Sequence, residues 1–512
     1  MSGTVIPAVA TTPMRTAAHA RPADPDQQWP TDNFFLNGPF APWHEESHGY
    51  DLPVEGRIPA DLAGALFRTS SNPRFQPRDL GRYHWWEGDG MVAGIYLREG
   101  KAAFRTSWVL TDSMKIEVEQ GEAVYSGFVN GGTPGRLPAG APQGKNVANT
   151  NVGVFDDHLL VYYEGGLPYA LHPQTLETYG TYDFHGGIDV LCTAHHKIDP
   201  DSGDMLFFAA TGPTITWYRA DVKTGGIIDA HAIDVGVPVL MHDFAVSENY
   251  AVFLVAPNLF RLDLVAQGRP GVVWDESALP HGTQIVLMDR RTHKVTWHET
   301  GDMFAPTHFF NAYEIGDEVV IDLHRISRIG NPADRPDAPL ASHEWFPPAY
   351  SWQWRVNTAT GATRNHKVTG VAGEFPKIND LYLGRPQRYG YFSTTRGVDD
   401  GCMTDGLARH DFVKGTTLVV EGPRELTSPS EIVFVARPDA RSEDDGYLLS
   451  LWWNRETGLT ELLIHDAADP VHDPLARVKL PVRVPTGFHG NWADQATLDK
   501  AAASHTAIPE RG

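Results

Sequence analysis

Four of the chain's 23 histidines stand at the edge of an apolar or aromatic run, where a side chain could face an enclosed site. They are His195 in Cys-Thr-Ala-His-His-Lys, His242 in Leu-Met-His-Asp-Phe, His308 in Thr-His-Phe-Phe-Asn and His489 in Gly-Phe-His-Gly-Asn-Trp. Four neutral imidazoles bind a first-row divalent metal and leave room for open positions, which fits oxygen-activating Fe(II) better than a closed structural zinc. Taken singly, each is more often a hydrogen-bonded core residue than a ligand, so the metal reading depends on whether the fold gathers them. Their separations of 47, 66 and 181 residues would place them on different structural units.

Other motifs fail on their surroundings. His44-Glu45-Glu46-Ser47-His48 matches the HExxH zinc pattern, which needs a helix to put both imidazoles on one face. Pro39 and Pro42 before it and Gly49 and Pro53 after it leave no room for one, so it reads as a solvated loop. Gly140-Ala-Pro-Gln-Gly144-Lys145-Asn146 is one residue short of a phosphate loop and has Asn where a magnesium-binding hydroxyl belongs, so it reads as a turn. Two cysteines, Cys192 and Cys402, are too few for a disulfide framework or a thiolate cluster.

The elements that must position such a site are short β-runs: Leu159–Tyr163, Tyr250–Val255, Glu318–Leu323, Glu431–Val435 and Tyr447–Trp453. Each is rich in β-branched and aromatic residues and bounded by Gly, Pro, Asp or Asn. A turn recurs with them: Asp199–Gly203, Asp221–Gly225, Asn357–Gly361 and Asn454–Gly458 all read Asp/Asn, two variable residues, Ser/Thr, Gly. Asp289–His293 is a fifth copy with His for Gly. The Asp/Asn side chain closes such a turn on nearby N–H groups, and Gly takes the left-handed position. Repeated hairpins point to a β-propeller, whose inner strands would bring one histidine from each of four blades to the axis. A large sandwich of unrelated hairpins is the alternative.

Composition bounds the function. Of 512 residues, 42 are Lys or Arg and 64 Asp or Glu, a net charge of −22 that argues against a nucleic-acid binder. Hydrophobic residues at 41% and charged residues at 21% fit a globular chain. No run of about 18 apolar residues would span a bilayer. The first 30 residues have no continuous apolar stretch of the signal-peptide kind. The expectation is a cytoplasmic protein with a flexible tail at 1–30, one domain at 31–500 and a frayed end at 501–512.

Nearly the whole chain resembles the carotenoid cleavage oxygenases, a family that includes the retinoid isomerohydrolase and bacterial stilbene-cleaving dioxygenases. The resemblance runs from Leu52-Pro-Val-Glu-Gly-Arg57 to Gly487-Phe-His-Gly490. Between them lie His84-Trp-Trp-Glu-Gly-Asp-Gly-Met91, Asn149-Thr-Asn-Val152, Glu164-Gly-Gly-Leu-Pro-Tyr169, Thr193-Ala-His-His-Lys197, Met241-His-Asp-Phe244, His308-Phe-Phe-Asn-Ala-Tyr-Glu314, Glu374-Phe-Pro-Lys-Ile378 and Asp444-Asp-Gly446. It implies a seven-bladed β-propeller with a helical and loop cap over an iron site. It implies Fe(II) held by His195, His242, His308 and His489, with Glu164, Glu374 and Glu431 supporting three of the imidazoles. A carboxylate on the far nitrogen fixes a ligand's tautomer and raises its basicity. His196 stands where the family usually has Pro; strand alternation would point it away from His195. Ser70-Ser71 for Gly-Pro and Glu87 for Asp are further departures.

The implied reaction is cleavage of a carbon–carbon double bond by Fe(II) and O2 into two carbonyl products, on an apolar small molecule. Stilbene-cleaving members resemble one another in a Lys before the glutamate matched by Glu164. Here Tyr163 stands there, which favours a carotenoid or apocarotenoid over a phenylpropanoid alkene, unless Tyr163 only packs. A stilbene-cleaving dioxygenase, a non-cleaving polyene isomerase and a metal-free propeller binding module are the alternatives. Residues 251–265 are a candidate for peripheral membrane contact, or else a buried strand followed by a short helix.

Overall fold

The computed structural model describes residues 29, 31–329, 331–332, 348–395 and 403–505. The expected N-terminal tail at 1–30, apart from Trp29, and Cys402 lie outside them. The chain is all-β, with few short helices. Its strands group into antiparallel units taken almost in chain order.

The first unit joins Gly64–Ser71, Gly90–Arg98 and Lys101–Trp108, and is completed by the C-terminal strand Gly490–Asp494 beside Gly64–Ser71. The second contains Asn151–Phe155, His158–Tyr162, Tyr169–Leu171 and Thr178–Thr181. The third runs Lys197–Ile198, Met205–Thr211, Thr214–Ala220 and Ile227–Asp234. The fourth runs Ala245–Val246, Tyr250–Val255, Gln284–Asp289 and Val295–Glu299.

A seven-stranded sheet then follows, and it is two units sharing a strand. Thr363–Lys377, 15 residues long, pairs with Tyr350–Asn357 on one side and, through its last residues, with Tyr389–Thr394 on the other. It closes a fifth unit begun by Ala305–Ile315 and Glu318–Ile326, and opens a sixth ended by Gly406–Asp411 and Thr416–Val420. The seventh centres on Gly446–Asn454, Thr460–Asp466 and Ala476–Lys479, with Val433–Ala436 on one edge and N-terminal Val54–Gly56 on the other.

Apolar burial ties each unit to the next. One cluster joins Leu206 and Trp217 of the third unit to Phe244 and Phe253 of the fourth. Others link the fourth to the fifth through Leu254, Phe309 and Trp354, and the sixth to the seventh through Tyr391, Leu448 and Trp452. Leu66 and Ile95 of the first unit pack on Leu449 and Leu462 of the seventh, so the last unit returns to the first. With Val54–Gly56 and Gly490–Asp494 each paired at the opposite end of the chain, the seam is also hydrogen-bonded.

The turns follow the expected chemistry. In Asn357–Gly361 the Asn357 Oδ1 accepts from the N–H groups of Ala359 (3.1 Å) and Thr360 (2.8 Å), and Gly361 donates back to the Asn357 carbonyl at 2.8 Å. The other four copies repeat this, and position five is left-handed in all, with φ from 59° at His293 to 77° at Gly203 and Gly361. Two further copies escaped the pattern. Asp411–Gly415 has Lys414 where Ser/Thr was expected, and at His172–Leu176 an imidazole Nδ1 accepts the two N–H groups in place of a carboxylate.

The C-terminal helix Gln495–His505 packs one face on the first unit and buries Ala501 completely. Residues 251–265 are a buried strand, a short strand Asn258–Phe260 and the helix Leu262–Val265, with Leu262 69% exposed. No helix among the described residues is long and apolar enough to cross a membrane.

Replacing Asn357 by Ala removes the side-chain oxygen that accepts from the Ala359 and Thr360 N–H groups and the Thr360 hydroxyl in an exposed turn, at an expected cost of about 1 kcal/mol. Urea unfolding midpoints check this; an unchanged midpoint would mean the turn closes without its side chain.

Candidate metal centre

Each unit contributes one residue to a single cluster. His195 stands just before the first strand of the third unit, His242 just before that of the fourth, and His308 lies in that of the fifth. Glu374 lies in the shared strand that opens the sixth, Glu431 precedes Val433–Ala436 of the seventh, and His489 precedes the strand that completes the first. Glu164 comes from the loop after His158–Tyr162 of the second. Close backbone packing fixes the His489 segment: a Cβ on Gly487 would meet the Thr69 carbonyl at 1.9 Å, and Arg68 donates to the Phe488 carbonyl at 2.6 Å.

One nitrogen from each of the four histidines lies within 4.8 Å of the others. The Nε2 atoms of His195 and His242 are 3.2 Å apart and those of His242 and His308 are 3.0 Å apart. Adjacent nitrogens around one first-row ion would be separated by about 3 Å, given a metal–imidazole length near 2.1 Å. The donor set therefore fits a single divalent ion.

Carboxylates hold the opposite edges of three rings. Glu374 Oε2 is 2.7 Å from His308 Nδ1, and Glu431 Oε1 is 2.9 Å from His489 Nδ1. Glu164 Oε1 contacts His242 Nδ1 directly. Each glutamate accepts a hydrogen bond from Nδ1–H, which fixes the proton on that nitrogen and leaves an Nε2 lone pair facing inward. Backbone bonds aim two of the carboxylates: Gly490 N–H donates to Glu431 at 2.9 Å, and Phe375 N–H to Glu374 at 2.7 Å. Phe375 has φ 59°, a left-handed conformation that is strained for a bulky residue, and its ring lies 5.5 Å from those of both His308 and His489.

Burial and the neighbouring imidazoles keep His195 and His489 neutral. Burial, with His489, His242 and His308 beside it, holds His195 well below the ordinary histidine range. Burial lowers His489 to about 4 against the pull of Glu431. His242 is also penalised by burial, but Glu164 more than offsets it and the net direction is up. Burial disfavours charge on Glu431, yet His489, with Lys377 and Arg68 further off, holds its carboxyl down at about 2. Glu374, likewise opposed by burial, is held well below the carboxylate range by His308.

His196 turns away, its ring stacked on that of Tyr162 with centroids 4.6 Å apart, although both it and His195 precede the strand Lys197–Ile198 and strand alternation does not apply to them. The HExxH segment is a loop, with His48 beginning a two-residue strand. Above the cluster lies a cavity of about 1220 Å³, onto which His242, His308 and His489 open. Trp85, Trp86, Phe128, Tyr163, Phe260 and Phe375 line it. The Tyr163 ring lies against Gly165, where a Cβ would meet it at 2.6 Å, and its burial, with Glu164 adjacent, raises the phenol well above its usual range.

Sequence reasoning missed Lys145. The segment read as a failed phosphate loop buries this ammonium between Asp89 (2.7 Å) and Glu117 (2.8 Å) at the cavity wall. It also missed Asp243, which follows His242 and faces His195. A signal for the first existed in the acidic His84–Met91 block, which had no stated partner.

Comparison with known proteins gives one direction. The family described as retinal pigment epithelial membrane protein matches residues 40–494. The carotenoid 9,10(9',10')-cleavage dioxygenase 1 of Arabidopsis thaliana is 30% identical over 509 residues, covering 91% of each chain. The lignostilbene-alpha,beta-dioxygenase isozyme III of Sphingomonas paucimobilis is 29% identical over 498 residues, covering 92% of this chain and 99% of that one. The crystal structure of Pseudomonas brassicacearum lignostilbene dioxygenase superposes with a TM-score of 0.82 over 90% of this chain and 99% of its own, at 24% identity, and so shares the fold.

The neutral imidazoles make the metal-free protein acid-sensitive. His489 takes a proton near 6.5 when unfolded but near 4 when folded, so its contribution to stability is complete above 6.5 and declines as pH falls toward 4. Glu431 acts in the same direction between about 4.5 and 2. The thermal midpoint of the metal-free chain should drop on acidification from 6.5 to 4; a flat profile would contradict the buried neutral state of His489.

Proposed function

The chain belongs to the retinal pigment epithelial membrane protein family, the carotenoid cleavage oxygenases, and on that premise we propose that it is an Fe(II)-dependent dioxygenase. Its reaction is cleavage of a carbon–carbon double bond of a carotenoid or apocarotenoid into two carbonyl products. The observation that carries this reading is the four-imidazole cluster at the floor of a large, mainly apolar cavity. The seven units, each packed on the next and closed by the first and last, are read as the blades of a propeller. The ring gives each ligand its own rigid support.

His195, His242, His308 and His489 would hold the iron, with Glu164, Glu374 and Glu431 as their supports. When bound, Fe(II) supplies the activation of O2 for attack on an alkene. The chain's own residues do the rest. Nε2 lone pairs face inward because the carboxylates hold the Nδ1 protons. Phe375, pressed against two of the imidazoles, and Trp85 and Phe128 exclude water and hold an extended apolar substrate. Placement of one double bond beside the cluster selects the bond cut. Phe260, exposed Leu262 and Val265 lie together at the cavity, and they are read as the rim by which an apolar substrate enters, from a membrane surface or a carrier.

A hydroxystilbene is the second reading, favoured by the polar groups in the same cavity. The Tyr163 phenol and the Lys145 ammonium could meet a substrate oxygen. Tyr163 as a neutral aromatic, and Lys145 already committed to two carboxylates, weigh toward the polyene.

Mass spectrometry of products from Fe(II)-loaded protein with O2 separates these readings. Carbonyl fragments from an apocarotenal alone support the first, and benzaldehyde-type fragments from a hydroxystilbene alone overturn the substrate while keeping the oxygenase. His242→Ala should lose both iron and cleavage; full activity without iron would contradict the assigned site. Glu374→Gln should weaken iron binding about 10–100-fold by loss of its imidazole partner; unchanged affinity would remove that role.

A further inference from the structure

Three of the four histidine rings have a glutamate on Nδ1, and His195 does not. The carboxylate facing it belongs to Asp243, with Oδ1 3.8 Å from His195 Nδ1, beyond a direct hydrogen bond. Asp243 is 4% exposed and its oxygens are fully engaged elsewhere. Oδ1 accepts from Lys197 Nζ at 2.9 Å and from Phe244 N–H at 2.8 Å, and Oδ2 accepts from Phe309 N–H at 2.9 Å.

The positions of these donors are informative. Lys197 is two residues past His195 on the third unit. Asp243 itself is the residue after His242 on the fourth. Phe309 is the residue after His308 on the fifth. One carboxylate thus cross-links the three chain segments that carry three of the four histidines. A buried carboxylate with a lysine and two N–H donors is a charge-assisted, geometrically fixed joint. The glutamates set the tautomer and tilt of individual rings, but none of them joins three histidine-bearing segments.

Resting on the metal reading above, we propose that Asp243 is a positioning residue for the metal centre. It sets the mutual spacing of His195, His242 and His308 by tying their segments together.

Asparagine has nearly the same shape as aspartate but only one acceptor oxygen, so in Asp243→Asn an NH2 group must face Lys197 and Phe244 N–H, or else Phe309 N–H. The segments then separate or rotate. The test is titration of the metal-free full chain with Co(II), read as affinity and as the visible ligand-field bands. Asp243→Asn should bind Co(II) about 10–100-fold more weakly, with shifted bands.

Equal affinity with superimposable bands would overturn the proposal and leave the metal site standing. A wild-type chain that takes up no Co(II) or Fe(II) would instead overturn the metal reading, and this proposal with it. If Asp243→Asn does not fold, Lys197→Met decides. It leaves both backbone bonds to Asp243 in place and frees the carboxylate toward His195, so the bands should shift. Bands identical to wild type would count against the proposal.

Discussion

The hydrogen bond between a buried glutamate and the outer nitrogen of a histidine is the interaction on which the site depends. An imidazole has two nitrogens, and only the one without a proton can donate to a metal. Glu374 on His308, Glu431 on His489 and Glu164 on His242 decide which nitrogen that is. They also place three negative charges around the position of a divalent ion, where burial alone would disfavour any charge. Without them, four packed imidazoles would be ordinary buried rings free to turn either edge inward.

That bond demands that residues far apart in sequence arrive with sub-ångström consistency, and the fold explains how they do. Each of seven sheets delivers one of the seven side chains from, or close to, a rigid strand. Separate apolar clusters lock one sheet to the next, and the strands at the two ends of the chain close the series. No sheet need bend for the cluster to form. The strain that does occur is local, at Phe375, whose left-handed backbone turns its ring onto the histidines while its own N–H aims Glu374.

Much of this was legible in the sequence because it is written locally. The four histidines could be picked out by their apolar or aromatic borders, and five turns by an Asp/Asn and, in four of them, a glycine at fixed spacing. Where chemistry was conserved but residue type was not, the pattern failed: His172 closes a turn with its ring nitrogen, and Asp411 closes one without a following Ser/Thr. The sharing of Thr363–Lys377 between two sheets was not visible, since nothing in one strand's composition says how many partners it has. Asp243 and Lys145 were missed for a related reason. A buried charge is recognised by partners brought from other segments, and those are supplied by the fold rather than by spacing.

On the proposed reading the cavity turns this site toward apolar substrates, because Trp85, Phe128, Phe260 and Phe375 offer apolar surface and the Lys145 ammonium is already paired with Asp89 and Glu117. The central claim is that four imidazoles, and no other protein ligand, hold one iron at its floor. Iron K-edge X-ray absorption on the Fe(II)-loaded chain tests it most directly. The account predicts one iron per chain with a shell of four imidazole nitrogens at about 2.1 Å, the ordinary metal–imidazole length. Sulfur scatterers, fewer than three imidazoles, or iron that is not retained would contradict it.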